Sequence, residues 1–596
     1  MTHEFMNNIW LHPGLLLILG AWVIPFLRGP VKRAMMILLP ATAVVLCLGM
    51  PIGTYGEVNF LGLDLVFGRV DKLSLVFSYV FSIMALLGMI YALHVKDDAQ
   101  HVTALVYAGG ALGVTFAGDL LSLYIFWELM AISSALLVWQ RRDSVAWKAG
   151  FRYLLVHIVG GLILLAGIVI YGFDNNSFSF SDMGHLENSA GWWLILIAFL
   201  INAAVPPLGA WLPDAYPEAS VTGAVFMTAF TTKSAVYVLI RGFPGTELLI
   251  WLGAAMAVYG VVYAVLENDA RRLLAYHIIS QVGYMVCGIG IGTELALNGA
   301  TAHAFAHILY KALLFMGAGA VLEVTGRRKL SEMGGLYKTM PITLTLYMIG
   351  AFAISAVPLF SGFVSKSMVV SAAHEQGMAF IFLTLTLASA GTFLHTGLKL
   401  PYYMFFGKDS GLVAKEPPRN MLVAMALAAA ACILIGLAGF FPHSLYRHLP
   451  YLVDYVPYTL PHVISSMGML AFTALGFFLL LKHLDPEPKI SLDTDWFYRR
   501  GTAVFVRFFQ KPLSQFEFGF VGKIYDFIMR HIVLGAADLL RKFDTHVVDF
   551  AVLGVGRTTH ALSRILGTTM SGNVQHYGLI MAIGVLVLLT LAMIVL

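Results

Sequence analysis

His303-Ala-Phe-Ala-His307-Ile-Leu-Tyr-Lys311 decides how this chain is read. The stretch runs straight into Ala312-Leu-Leu-Phe-Met316, so it belongs to an apolar run of membrane length. His303, His307 and Lys311 fall four residues apart. On a helix each step of four turns about 400°, so the three side chains share one face and drift by about 40° per step. Such residues are costly in a membrane helix unless they face a bundle interior or a water-filled path, and there they mark ion and proton routes. A snorkelling lysine beside two hydrogen-bonded histidines is the bland alternative. It fits poorly, because Lys311 lies mid-run, far from either end.

The whole composition agrees with a membrane setting. The 596 residues are 59% hydrophobic and 12% charged, with a mean hydropathy of +0.81, well outside the range of soluble domains. The apolar runs are continuous rather than alternating, which excludes a β-barrel and predicts an all-α polytopic membrane protein. The first run, near Leu15–Phe26, is followed by Arg28, Lys32 and Arg33 without a cleavage site and reads as a retained helix. Cys47, Cys287 and Cys432 lie in apolar segments without paired spacing, so neither a disulfide framework nor a thiolate metal site is expected.

About sixteen spans are expected by apolar length, at 13–27, 34–52, 71–93, 101–117, 119–139, 151–173, 192–213, 222–241, 248–266, 273–292, 299–322, 340–373, 378–406, 421–441, 463–483 and 577–596. The run 340–373 is too long for a plain span and reads as broken. Basic clusters follow odd-numbered spans: Arg28/Lys32/Arg33, Arg141/Arg142/Lys148/Arg152, Arg271/Arg272 and Arg327/Arg328/Lys329. Loops after even spans are poor in Lys and Arg, and one carries Asp174, Asp182 and Glu187. The positive-inside rule then puts the N-terminus outside and the basic loops in the cytoplasm of a bacterial or archaeal cell membrane.

Two segments are interrupted alike: Ala204-Val-Pro-Pro-Leu-Gly-Ala-Trp-Leu-Pro-Asp-Ala-Tyr-Pro217 and Ala356-Val-Pro-Leu-Phe-Ser-Gly-Phe-Val-Ser-Lys366. Irregular backbone at membrane depth is tolerated where it is buried or lines a cavity, and matched interruptions in two halves point to an inverted-repeat transporter. Ordinary proline kinks are the alternative. Beyond Lys482 the character changes. Asp485-Pro-Glu-Pro-Lys489 stops a helix, and 490–576 mixes charge with apolar residues at helical spacing (Val504, Phe505, Phe508, Phe509, Phe516, Phe520). This stretch reads as helices lying on the cytoplasmic surface, in the lipid interface or along partner subunits, with a reach on the order of 100 Å. A soluble cytoplasmic domain is the alternative. The expected divisions are N-terminal helices 1–100, two repeats at 101–245 and 246–410, further spans at 411–483, the lateral segment 484–576 and a last span 577–596.

Further ionisable residues lie inside spans. Glu128 sits in Leu123-Tyr-Ile-Phe-Trp-Glu-Leu-Met-Ala131. Burial penalises its charged form, so it is protonated or paired with a cation. Lys233, in Phe230-Thr-Thr-Lys-Ser-Ala-Val-Tyr237, and Lys311 face the same penalty as ammonium ions, which lets each load and release a proton. Lys366 lies in the second interruption, where water can hydrate it, and His157 and His277 read as relays. Together these form a proton wire. His303 and His307 have zinc-like spacing, but no HExxH glutamate or third ligand is in register, so no metal is expected. Phosphate loops, dinucleotide fingerprints, haem attachment and iron–sulfur cysteine sets are missing, so no cofactor, redox site, hydrolytic site or nucleic-acid partner is expected.

Phe126-Trp-Glu128, Trp211-Leu-Pro-Asp-Ala215, Arg272-Leu-Leu-Ala-Tyr276 with Ser280-Gln-Val-Gly-Tyr284, the His303–Phe315 run and Ser361-Gly-Phe-Val-Ser-Lys366 together resemble the antiporter-like membrane subunits of respiratory complex I, Mrp-type Na+/H+ antiporters and membrane-bound hydrogenases. The resemblance covers about residues 60–440. It implies two inverted five-helix repeats, each with a broken helix. It also implies that Glu128 pairs with a lysine in the first half-channel, that Lys233 links the halves, and that His303, His307 and Lys311 form the middle of the axis. Lys366 would end the second half-channel. The family lysine expected a few residues before Trp-Leu-Pro-Asp is replaced by Asn202, which cannot carry a proton and leaves Glu128 without its usual partner. The tail resembles, by layout rather than motif, the lateral helix and closing span of the largest such subunit in complex I. The expected function is H+ translocation, with or without Na+ exchange, among other membrane subunits in the bilayer. The alternatives are a transport-inactive structural clamp, or the membrane partner of a zinc-dependent bicarbonate-uptake protein.

Overall fold

The computed structural model describes residues 10–184, 189–412, 414–440, 445–487, 493, 494, 496, 500, 501, 507, 512, 514–570 and 572–595. Val504, Phe505, Phe508, Phe509 and Glu187 lie outside them. The chain divides into residues 1–496 and 497–596.

The first unit opens with α1 (Pro13–Ala21) and α2 (Gly29–Leu48), then a hairpin of β1 (Gly53–Phe60) and β2 (Leu63–Val70). The hairpin departs from the all-helical expectation, because 53–70 lacks strict alternation and turns on Leu61-Gly62 rather than Asn-Gly. Both turn residues take positive φ, 52° and 81°, which matches the twist of paired strands. Asp119 holds the hairpin by accepting a 2.7 Å hydrogen bond from the Val66 amide. Then come α3 (Lys72–Tyr91), α4 (Asp98–Phe116), α5 (Leu120–Trp139), α6 (Ser144–Asn175), α7 (Ala190–Asn202), α8 (Trp211–Ala215), α9 (Val221–Ala229) and α10 (Thr231–Gly242). They are followed by α11 (Glu247–Leu266), α12 (Ala270–Ile291), α13 (Glu294–Thr325), α14 (Pro341–Ile354), α15 (Ser361–Glu375), α16 (Ala379–Thr392), α17 (Arg419–Ala438) and α18 (Leu460–Leu479). Wider π-type turns carry α16 on through Phe393–Lys399 and Tyr402–Phe406.

Among the described residues twelve helices are long and apolar enough to cross a membrane, and Pro13–Phe26, Ala190–Asn202 and Pro341–Ile354 are shorter apolar helices. The chain is an integral, polytopic α-helical membrane protein. Burial is uneven. The spans Val221–Gly242 and Ala270–Ile291 are buried throughout their most apolar windows, whereas Ser144–Asn175 is 39% buried. Helices wholly inside a bundle can carry polar groups without facing lipid. Small residues bring the central backbones together: a Cβ at Gly283 would meet the Gly253 carbonyl at 2.6 Å, the close approach that membrane helix pairs use.

The expected span 192–213 ends early, at Asn202, and 340–373 parts into α14 and α15. Both breaks have the same local form. Ala204 and Ala356 take left-handed φ of 60° and 57°. The next amides reach back five residues, Val205 to Leu200 O and Val357 to Phe352 O, each at 3.1 Å. A further break falls at Phe230, dividing the expected span 222–241 into α9 and α10.

Taken by itself, the second unit holds an unbroken helical run, Gln515 to Thr569. Its α-helical parts Gly522–Phe527, Leu534–Phe543 and Asp549–Thr569 alternate with π-type turns. At about 1.5 Å per residue the run extends on the order of 80 Å. Phe516, Phe518 and Phe520 are exposed, while Asp538 pairs with Arg541 and Lys542 at 2.6 and 2.9 Å. Val574–Val595 is a separate apolar helix of span length.

Candidate functional site

Breaking a helix frees carbonyls, and the buried lysines sit on them. Lys233 Nζ donates to Thr228 O in the last turn of α9 at 2.7 Å, and to Thr232 Oγ1 at 3.0 Å. Lys366 Nζ donates to Ile354 O, the end of α14, at 3.0 Å, and lies 5.2 Å from the centre of the Tyr284 ring. Lys399 Nζ donates to Val265 O and Glu267 O at the end of α11, at 2.5 and 3.2 Å. The C-terminal end of a helix is the negative end of its dipole and offers unpaired acceptors, so it holds an ammonium without a fixed counter-charge.

The residues of α13 link these points. His303 Nδ1 is 3.0 Å from Ser365 Oγ on α15, and Tyr310 Oη is 3.4 Å from His303 Nε2. His307 lies between them in chain order, with both ring nitrogens buried and unpartnered. Lys311 Nζ is 3.1 Å from His277 Nδ1 on α12. His277 Nε2 is 3.1 Å from Thr392 Oγ1, and its ring packs at 4.8 Å on that of His395. The helix that carries Lys233, α10, packs directly on α13. Lys233, His277, His303, His307, Lys311 and His395 are all 0% exposed. Water between such groups completes the kind of chain along which protons hop.

Sequence reading misses Thr392, His395 and Lys399. A signal is present: His395-Thr-Gly-Leu-Lys399 repeats the four-residue step of His307 to Lys311. It is easily passed over because it lies near a predicted span end, where lysines commonly snorkel.

The first half is built differently. Glu128 makes no ion pair among the described residues, and its Oε1 is buried without a partner. Lys233 forms no ion pair with it, its ammonium bonding Thr228 O and Thr232 Oγ1. The Oδ1 of Asn202 is likewise unpartnered. His157 stands apart from the histidines of α13. It stacks on Tyr153 at 4.0 Å and edge-on to Trp211 at 4.6 Å. A hydroxyl chain continues from there: Tyr153 Oη is 3.4 Å from Thr231 Oγ1, which is 2.6 Å from Tyr107 Oη. Thr231 opens the helix that carries Lys233. The Trp-Leu-Pro-Asp motif is fixed by a paired contact of Arg152 with Asp214, at 2.7 and 2.8 Å, and by Trp211 Nε1 donating to Ile201 O at 2.9 Å.

The chain has relatives. Residues 117–392 match the family described as NADH:quinone oxidoreductase/Mrp antiporter, transmembrane. Over 352 residues the chain is 32% identical to a Na(+)/H(+) antiporter component of Alkalihalophilus pseudofirmus, covering 55% of this chain and 71% of that one. The chain belongs to this family. It is also 28% identical to NAD(P)H-quinone oxidoreductase chain 5 of Picosynechococcus, covering 86% of this chain and 84% of that one. A probable K(+)/H(+) antiporter component of Rhizobium meliloti is 30% identical, but the chain spans only 40% of its length. The fold is that of a chain in the membrane-bound sulfane sulfur reductase, an archaeal respiratory membrane complex, with a TM-score of 0.68 at 22% identity, covering 97% of this chain and 99% of that one. Family members thus include components of cation/proton antiporters and of quinone oxidoreductases.

Proposed function

We propose that the chain is a proton-translocating subunit, with or without Na+ exchange, of a multi-subunit membrane complex of the complex I or Mrp type. The observation that carries this reading is the buried line from Lys233 through His303, His307 and Lys311 to His277 and His395, with Lys366 and Lys399 resting on helix ends. Protons enter and leave through the ammonium groups, which can deprotonate because burial opposes their charge. Histidines and water relay between them.

Two repeats, 101–245 and 246–410, organise the path. Their support is positional. α5 and α12 begin behind Asp119 and Asp269, which bridge Ser179 and Lys329 at matching places. α6 and α13 are both 32 residues long. The N-terminus lies outside, and the basic loops and the lateral segment lie on the cytoplasmic side. The lateral segment lies along neighbouring membrane subunits.

Lys311→Ala tests the reading. The complex should assemble while coupled proton transport, measured in inside-out vesicles with a pH-sensitive dye, falls to background. Normal flux would overturn the proton-wire assignment. The unpaired Glu128 favours a second reading, a subunit that clamps its complex without transport. That reading predicts unchanged flux by the complex in the same variant.

A further inference from the structure

The two halves differ at one matched place. When α5 and α6 are laid on α12 and α13 from their capped starts, His157 falls on His307 and Gly161 falls on Lys311. The second half therefore has a resident ammonium where the first half has a glycine. The space left at that glycine is taken by a carboxylate: a Cβ on Gly161 would overlap Glu128 Oε1. One residue earlier, a Cβ on Gly160 would stand 3.8 Å from Asn202 Oδ1. Successive glycines of α6 thus leave room for two oxygens, one from α5 and one from α7.

Three acceptor atoms on the residues of this region have no partner among the described residues. Glu128 Oε1, Asn202 Oδ1 and His157 Nε2 are buried and unpartnered, and Asn202 and His157 are each 2% exposed. His157 Nδ1 lies 2.9 Å from Tyr153 O. A carbonyl can only accept, so Nδ1 carries the hydrogen and Nε2 presents a lone pair. Each unsatisfied acceptor is costly unless a donor or a cation completes it, and the two oxygens lie against successive glycines of one helix.

We propose that the Glu128 and Asn202 oxygens that pack on Gly161 and Gly160 bind a monovalent alkali cation between them. One carboxylate supplies one compensating charge, which suits a monovalent rather than a divalent ion. Carboxylate and amide oxygens are the hard ligands that such ions take, and water fills the remaining positions. His157 Nε2 accepts a hydrogen bond from one of these waters. Glu128 is half-buried and serves as the way in. From His157 the stack on Tyr153 and the hydroxyls of Thr231 and Tyr107 lead to the segment of Lys233. A cation bound here repels a proton on Lys233, so cation occupancy and proton loading oppose each other, as exchange requires. The proposal rests on reading the chain as an ion-transport subunit and assigns the exchanged ion to the first half.

The test is equilibrium binding of 22Na+ and of 86Rb+ to the purified complex containing the full chain, so that the two arms separate a Na+ site from a K+-like one. Saturable binding of one isotope is expected, weakened at least about tenfold by Glu128→Gln and by Asn202→Leu. Asn202→Asp keeps the side-chain volume and adds a charge, so it should tighten binding about tenfold, which keeps the test alive if Asn202→Leu fails to assemble. No saturable binding to the wild type overturns the site. So does the same affinity in Glu128→Gln and Asn202→Asp as in the wild type. Lys311→Ala should lose coupled transport yet keep cation binding, so failure of the site and failure of the proton axis are read separately.

Discussion

At the residue scale, a buried lysine is tolerable where a helix ends beside it. Lys233, Lys366 and Lys399 each take carbonyls left free by a broken or terminating helix, and Lys311 takes His277 instead. If the path runs on from His277 through His395, Lys399→Ala should cut coupled proton flux as deeply as Lys311→Ala. Flux at the wild-type level would end the path at His277. Outside the spans, Asp71 shows how charge pairs fasten the bundle. Burial alone would raise its carboxyl, but two hydrogen bonds and the charge of Arg241 outweigh that and hold it below the usual carboxylate range. The stability Asp71 contributes is therefore complete above its unfolded value of about 4 and is lost as pH falls through the lower folded value. Thermal unfolding of the detergent-solubilised complex should show this loss. Asp71→Asn should be less stable at neutral pH and flatter below about pH 4, and an unchanged pH profile would remove Asp71 from the account.

At the element scale, the two interruptions repeat one solution. A non-glycine residue in the left-handed region costs roughly 1 kcal/mol, so glycine at Ala204 or Ala356 relieves backbone strain. The sites differ in what the methyl group touches. Ala204 is 0% exposed, and removing its methyl loses packing worth about as much. Ala356 is half-buried and loses less. Ala356→Gly should therefore stabilise the protein by up to about 1 kcal/mol while Ala204→Gly stays near neutral. Equal shifts in unfolding temperature would contradict this account. The expected starts at 119 and 192 lie within two residues of α5 and α7, whereas those at 151 and 273 fall inside α6 and α12, although the helix ends have local causes. Asp119, Asp143 and Asp269 cap α5, α6 and α12, and Gly292 and Gly326 close α12 and α13. The hairpin at 53–70 and the break at Phe230 are not legible. Neither carries a turn dipeptide or a proline, and each is fixed by a distant partner: Asp119 for the hairpin, and for the break Tyr107, whose hydroxyl accepts from the Thr231 amide at 3.0 Å.

At the scale of the whole molecule, the chain combines a transport core with a long amphipathic tail. The exposed apolar residues of 515–569 call for a covering surface, which the proposed function assigns to neighbouring subunits and lipid. A chain ending after Lys482 should insert into the membrane but separate from its complex on a native gel. Co-migration of the truncated chain would deny the tail an assembly role.

Polytopic class, the buried Lys233, Lys311 and Lys366 and the two interruptions are legible in the sequence, because membrane burial enforces length, apolarity and costly charge one residue at a time. Which acceptor each ammonium meets is not, because Lys233, Lys366 and Lys399 meet backbone carbonyls, and every residue carries one. Placing Val265 O beside Lys399 needs the packing of helices far apart in the chain, and placing Thr228 O beside Lys233 needs the break at Phe230. The same holds for the acceptors around Gly160 and Gly161. Glu128 and Asn202 are ordinary residues on separate helices until tertiary packing brings an oxygen of one to Gly161 and of the other to Gly160.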